Sequence, residues 1–117
     1  MEIIARVNKS IPVLDIVGEV DLYNTKDIKD TIDNMIKQGK YQIVLNLLQV
    51  PFMDSSGIGT LVTGMYRLKK YHGNLKIINT VGSVAKVFKM TGMDAHLEIF
   101  DNEEDAVVSF LKENQAI

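Results

Sequence analysis

The residues whose types and spacing could do chemistry fall in one string, Phe52-Met53-Asp54-Ser55-Ser56-Gly57-Ile58-Gly59. It places two hydroxyls beside a carboxylate and opens an apolar series, Ile58, Leu61, Val62, Met65 and Leu68, at helical spacing. Asp54, Ser55 and Ser56 therefore stand at a helix N-terminus. Such a terminus carries unpaired N–H groups and the positive end of the helix dipole, a setting that favours a phosphate. A phosphoserine there adds roughly −1.5 to −2 of charge, partly opposed by Asp54. Glycine at 57 and 59 lets other backbone approach closely. The Asp-Ser-Ser string also reads as an ordinary helix cap worth roughly 1 kcal/mol, and a capping serine can itself be phosphorylated.

Competing chemistries find less support. A nucleophilic Ser55 or Ser56 needs an adjacent base. The two histidines, His72 and His96, fall at a helix end and before a short strand, and the string is not Gly-x-Ser-x-Gly. Gly57-x-Gly59 lacks the third glycine of a dinucleotide fingerprint, and no Gly-Lys-Ser/Thr occurs. Cysteine is absent and no metal-type spacing exists, so neither a metal nor a cofactor is expected, and the chain reads as a non-enzyme.

A second acidic segment, Gly18-Glu19-Val20-Asp21, follows a β-type run. It is either a turn with solvated acids or a means of bringing Asp21 to the Ser55 loop. The latter requires the strands preceding the two segments to be neighbours. Met53, Met65, Met90 and Met93 read as core filler, with an adaptable docking face as the alternative.

The elements that must position these residues alternate. Two β-type runs, 2–7 and 11–18, flank the turn tripeptide Asn8-Lys9-Ser10, so a hairpin is expected. Asn24 and Thr25 precede a helical stripe of Ile28, Ile32, Met35 and Ile36 that Gly39 stops. Residues 41–48 are apolar on both faces and predict a central strand covered from both sides. After the Ile58 helix come a strand at Leu75, Ile77 and Ile78, a short helix marked by Val84, Val87 and Phe88 and closed by Gly92, and a strand over 97–100. A last helix runs from Asn102, with Glu103, Glu104 and Asp105 at its positive end. The order β-β-α-β-α-β-α-β-α implies an α/β fold, a mixed β-sheet opened by a β-hairpin with about four helices packed on it.

At 117 residues the chain predicts one domain over 1–117. Its 46% hydrophobic and 24% charged residues suit a soluble globular protein, and a net charge of −2 gives no reason to expect nucleic acid or an anionic membrane. No stretch approaches the roughly 20 apolar residues that span a bilayer, and the N-terminus does not read as a secretory signal, so a cytoplasmic location is expected.

Taken together, these segments resemble the anti-sigma factor antagonists, a STAS-domain family. The resemblance is carried by Gly18-Glu19-Val20-Asp21, Ile43-Val44-Leu45-Asn46-Leu47, the Phe52–Gly59 string, Val84–Gly92 and Asn102-Glu103-Glu104-Asp105-Ala106. It implies a partner-switching cycle. The unphosphorylated protein binds an anti-sigma factor that is also a serine kinase and so frees a sigma factor; the kinase phosphorylates Ser55 from Mg·ATP, and a serine phosphatase reverses this. By the same resemblance Asp21, Asp54, Ser56, Gly57 and Gly59 belong to the partner-binding surface. Gly82 departs from the pattern, standing where many relatives carry proline. A STAS-type scaffold or regulatory subunit of a transporter or stress-signalling complex, without phospho-switching, is the alternative reading.

Overall fold

The opening hairpin is set by its turn. Lys9 and Ser10 both take positive φ, 51° and 68°, the two-residue turn whose twist matches that of the strands it joins. It connects β1 (Glu2–Asn8) to β2 (Ile11–Val17) in unbroken antiparallel register. A computed structural model describes residues 1–115; residues 116 and 117, the end of the expected domain, lie outside the described residues. After the hairpin come α1 (Thr25–Lys37), β3 (Gln42–Gln49), α2 (Ser55–Lys69), β4 (Asn74–Ile78), α3 (Gly82–Thr91), β5 (Glu98–Phe100) and α4 (Glu103–Gln115). This is the expected order. A single 3₁₀ turn, Met93–Ala95, is an addition too short to leave any periodicity in the sequence.

The five strands lie in sequence order, β1-β2-β3-β4-β5, with every pair after the hairpin parallel. Each crossover therefore steps the same way across the sheet, and right-handed crossovers stepping one way put their helices on one face. That face holds the larger core. Ile28, Ile32 and Met35 of α1, Ile58, Leu61, Met65 and Leu68 of α2, and Val84 and Phe88 of α3 pack on Leu14, Ile16, Ile43, Leu45, Leu47, Leu75 and Ile77. After β5 the chain crosses to the other face, where Ala106, Val107 and Phe110 of α4 cover Ile11, Val13, Val44 and Ile78. Ile43, Val44 and Leu45 alternate between the two cores, the double-sided burial expected of the central strand. Because strand order never reverses, the sheet has no topological switch point and no crevice of the nucleotide-binding kind.

Gly82 adopts φ +57°, a left-handed conformation closed to proline, so this chain enters α3 differently from a proline-bearing relative. A larger departure is Lys76, on the α4 face of β4. The sequence reading named the apolar residues around it and passed over it. The structure buries it fully, with Nζ donating to Ser109 Oγ at 2.6 Å and Glu113 Oε1 at 2.7 Å and lying 4.3 Å from the centre of the Phe110 ring. Arg6 adds a second tie to α4, its Nε donating to Asp15 at 2.6 Å and its Nη1 to Glu103 at 2.8 Å. The hydrogen bond from Arg6 holds both carboxyls below the usual range, so their stabilising effect is present at neutral pH and is lost as pH falls through the acid range.

Lys76 is fully buried while its partner Glu113 is half-exposed, and a buried charge paired in this way is often matched by an apolar residue of similar shape. Lys76→Met is accordingly expected to keep stability within about 1 kcal/mol of wild type. Lys76→Glu, which buries a carboxylate beside Glu113, is expected to cost more than about 3 kcal/mol in urea unfolding.

Candidate functional site

The site is built by two loops that run side by side after their strands have ended. Gly18 N–H donates to Gln49 O at 3.0 Å, Val20 N–H to Phe52 O at 3.0 Å and Asp54 N–H to Val20 O at 3.2 Å. Val20 and Met53 form a parallel bridge beyond β2 and β3, and both side chains are fully buried. The condition for bringing Asp21 to the Ser55 loop, that the second and central strands be neighbours, is met.

Asp54 is the N-cap of α2. Its Oδ1 accepts from the N–H groups of Ser56 at 3.0 Å and Gly57 at 3.2 Å and from the Ser56 hydroxyl, while Oδ2 accepts from Leu22 N–H at 3.2 Å. The carboxyl is held below its ordinary range, chiefly by the Ser56 hydroxyl; desolvation, the next largest effect, opposes this, and the backbone N–H groups of Gly57, Leu22 and Ser56 each add a smaller lowering. The capping role that the sequence left spread over Asp-Ser-Ser thus belongs to Asp54. Ser56 is tied up as its hydroxyl donor. Ser55, the first residue of α2, is exposed and takes no part in this network.

The remaining candidates separate. Asp21 is half-buried and shapes the entry to α1: its Oδ1 accepts from Tyr23 N–H at 2.9 Å and its backbone oxygen from Thr25 N–H at 3.1 Å. Gly57 is buried, and a Cβ on it would lie 2.6 Å from Met53 Cγ and 3.0 Å from Val20 Cγ1. The reading of Gly57 as part of a contact surface is corrected: it lets α2 close onto the bridged loops from beneath. Gly59 is exposed with open space around it, on a groove of about 340 Å³ between α1 and α2. Lys29 and Arg67 line that groove, and both pair with Asp33.

Three exposed apolar residues stand on the two bridged loops; Leu22 and Tyr23 escaped the sequence reading, and Phe52 entered it only as the start of the Ser55 string. Leu22 and Tyr23 are 68% and 92% exposed in the loop that also holds Asp21, and Phe52, whose carbonyl accepts from Val20 N–H, is 44% exposed. Their signal was position: large apolar residues between a strand and a helix, outside either periodicity. Of the four methionines, Met53 and Met65 are in the core, Met93 packs against it and Met90 is 84% exposed. His72 lies beyond the far end of α2, about 22 Å along a helix of this length, and His96 follows the 3₁₀ turn. Neither is placed to act as a base for Ser55.

The helix start suits a phosphate on Ser55 less by capture than by display. Asp54 already occupies the N–H groups of Ser56 and Gly57, so a phosphate on Ser55 would add its charge beside a carboxylate. The family model of the STAS domain matches residues 2–106. The chain belongs to the STAS domain family. An anti-sigma-B factor antagonist of Bacillus subtilis (strain 168) is 29% identical over 94 residues, 80% of this chain and 85% of that protein. Among solved structures, the anti-sigma factor antagonist SpoIIAA in its unphosphorylated form is similar with TM-score 0.71 at 25% identity, covering 95% of this chain and 98% of that one. The phosphorylated form of the Bacillus cell fate determinant SpoIIAA gives 0.70 at 27% identity, covering 93% and 99%. An anti-sigma factor antagonist from Mycobacterium paratuberculosis shares the fold with TM-score 0.83 at 18% identity, covering 92% of each chain.

The two glycines of this STAS site are expected to respond oppositely to one substitution. Gly57→Ala, forced against Met53 and Val20, should cost about 1–3 kcal/mol, whereas Gly59→Ala, in open space on the helix, should gain about 0.5–1 kcal/mol, both read by chemical denaturation. Asp54→Ala removes the cap and should cost about 0.5–2 kcal/mol at neutral pH. Because the folded carboxyl is depressed, that deficit should shrink as pH falls through the acid range.

Proposed function

We propose that this chain is an anti-sigma factor antagonist switched by phosphorylation of Ser55. Unmodified, it binds an anti-sigma factor that is also a serine kinase, and the sigma factor held by that protein is released. The kinase directs the Ser55 hydroxyl oxygen at the γ-phosphorus of Mg·ATP; the new P–O bond forms as the bond to ADP breaks, and the hydroxyl proton passes to a base of the kinase. A serine phosphatase hydrolyses the ester and restores the binding form.

The observation that carries this reading is the division of labour at the start of α2. Asp54 caps and Ser56 supports the cap, which leaves the exposed Ser55 hydroxyl outside the capping network. Modification then alters the docking surface without uncapping the helix. The curated relatives named anti-sigma-B factor antagonist and the two SpoIIAA forms support the same reading. In it the whole chain acts as one STAS unit, with Asp21, Asp54, Ser56 and Gly59 shaping the contact face around Ser55 and Gly57 seating it.

Incubation with Mg·ATP and extract of the source cells, followed by peptide mass spectrometry, should place phosphate on Ser55 in the wild type and none in Ser55→Ala. Ser55→Ala should bind the anti-sigma kinase with wild-type affinity. Ser55→Asp should bind at least about tenfold more weakly, a loss of about 1.4 kcal/mol. Equal affinity of wild type and Ser55→Asp would sink the charge switch, and absence of phosphate across growth conditions would favour the STAS-type scaffold.

A further inference from the structure

The sheet has two edges, β5 with three residues and β1 with seven. Edge strands are commonly blunted by proline, lysine, a bulge or brevity. β1 has none of these: it pairs with β2 without interruption from Glu2 to Asn8, and among the described residues its hydrogen bonds to a helix are those of Arg6 and Asn8 to Glu103 at the start of α4. Ile4 and Val7 are 48% and 63% exposed. Arg6, its one mid-strand charge, is folded away onto Asp15 and Glu103.

The turn decides which backbone groups this edge presents. A two-residue turn makes Asn8 and Ile11 a hydrogen-bonded pair. Antiparallel alternation then directs the N–H and C=O groups of Glu2, Ile4, Arg6 and Asn8 toward β2, and those of Ile3, Ala5 and Val7 outward. Three outward residues at every second position, centred on Ala5, are complementary to a copy of themselves.

We infer that β1 pairs antiparallel with β1 of a second copy of this chain about a two-fold axis through Ala5, joining the two sheets edge to edge. In that register Ala5 faces Ala5, and Ile3 faces Val7 of the partner subunit. Each of these pairs exchanges both of its N–H to C=O bonds, and all seven residues of the strand overlap. On the helix side Val7 is covered by Ile3 of the partner subunit, a β-branched cross-strand pair of the kind that stabilises sheets. On the other side Ile4 lies against the Arg6 stem and Glu2 against Asn8. No like charges are opposed. A register centred on Arg6 sets two guanidinium groups face to face, and one centred on Ile4 shortens the overlap. Pairing shifted to an odd sum would set residues from opposite faces of the sheet against each other, which a two-fold axis normal to the sheet forbids.

A single-strand contact buries less than the roughly 1,200 Å² of a standard interface, so the dimer is weak and depends on concentration. The Ser55 loop follows β3, two strands in from this edge, so pairing leaves it uncovered in both copies. The dimer therefore stands or falls apart from the phospho-switch.

Sedimentation equilibrium of the full chain up to about 1 mM tests this. Wild type should approach twice the monomer mass and dissociate on dilution, and amide exchange should slow with concentration at Ile3, Ala5 and Val7. Ala5→Pro deletes an outward N–H while leaving the bonds to β2 in place. Ala5→Lys sets two ammonium groups face to face. Both should keep the wild-type circular dichroism and weaken association at least about tenfold. If Ala5→Pro does not fold, Ala5→Lys decides. A wild type that stays monomeric throughout would overturn the inference. So would a folded variant that associates like the wild type, or a dimer whose concentration-dependent protection lies elsewhere.

Discussion

The parallel pairing of β2 with β3 does not stop where the strands stop. Val20 and Met53 carry it one bridge further, and three backbone hydrogen bonds hold the two outgoing loops at strand-like spacing. Both bridge residues are fully buried, so the loops are anchored by apolar packing as well as by hydrogen bonds. The rest of the site depends on this. It brings Leu22 N–H within reach of Asp54, aims the Asp54 carboxylate at the start of α2, and requires position 57 to have no side chain. A serine at the first position of α2 is then displayed by a frame whose parts are all engaged elsewhere.

That frame bears on how a modification would be read. In many regulated proteins a phosphate moves a segment by capturing unpaired N–H groups or arginines. Here the N–H groups of Ser56 and Gly57 already belong to Asp54, and Arg67, on the adjoining groove, is paired with Asp33. A phosphate on Ser55 finds little to reorganise and much to repel. The expected consequence is a change of surface charge with little movement of the helix start.

The one-way order of the sheet explains the shape of the rest. With β2 to β5 advancing in a single direction, α1, α2 and α3 crowd one face, and the chain must return across the other to cover it with α4. That return is secured by polar contacts as well as apolar ones: Lys76 enclosed by Ser109, Glu113 and Phe110, and Arg6 held between Asp15 and Glu103. The hairpin adds β1 outside the first crossover, at the end of the strand order, so β1 retains an open edge.

Much of this was legible in the amino-acid order, because the signals involved act over a few residues. Apolar spacing and helix-start residues located the five strands and four α-helices, Asn8-Lys9-Ser10 announced the hairpin, and Asp54-Ser55-Ser56 ahead of Ile58 announced a helix start with a hydroxyl on it. What the sequence could not assign were matters settled by residues distant in the chain. Whether Asp21 approaches Ser55 depends on β2 and β3 being neighbours. Which of Asp54, Ser55 and Ser56 caps the helix depends on the bridge that orients Asp54. That Gly57 is packed and Gly59 free, though both are helical glycines two residues apart, depends on what lies beneath α2. The burial of Lys76 depends on a helix that begins 27 residues later. Local periodicity and capping chemistry are written in adjacent residues; pairing, burial and the division of roles among neighbouring side chains arise only when the chain returns on itself.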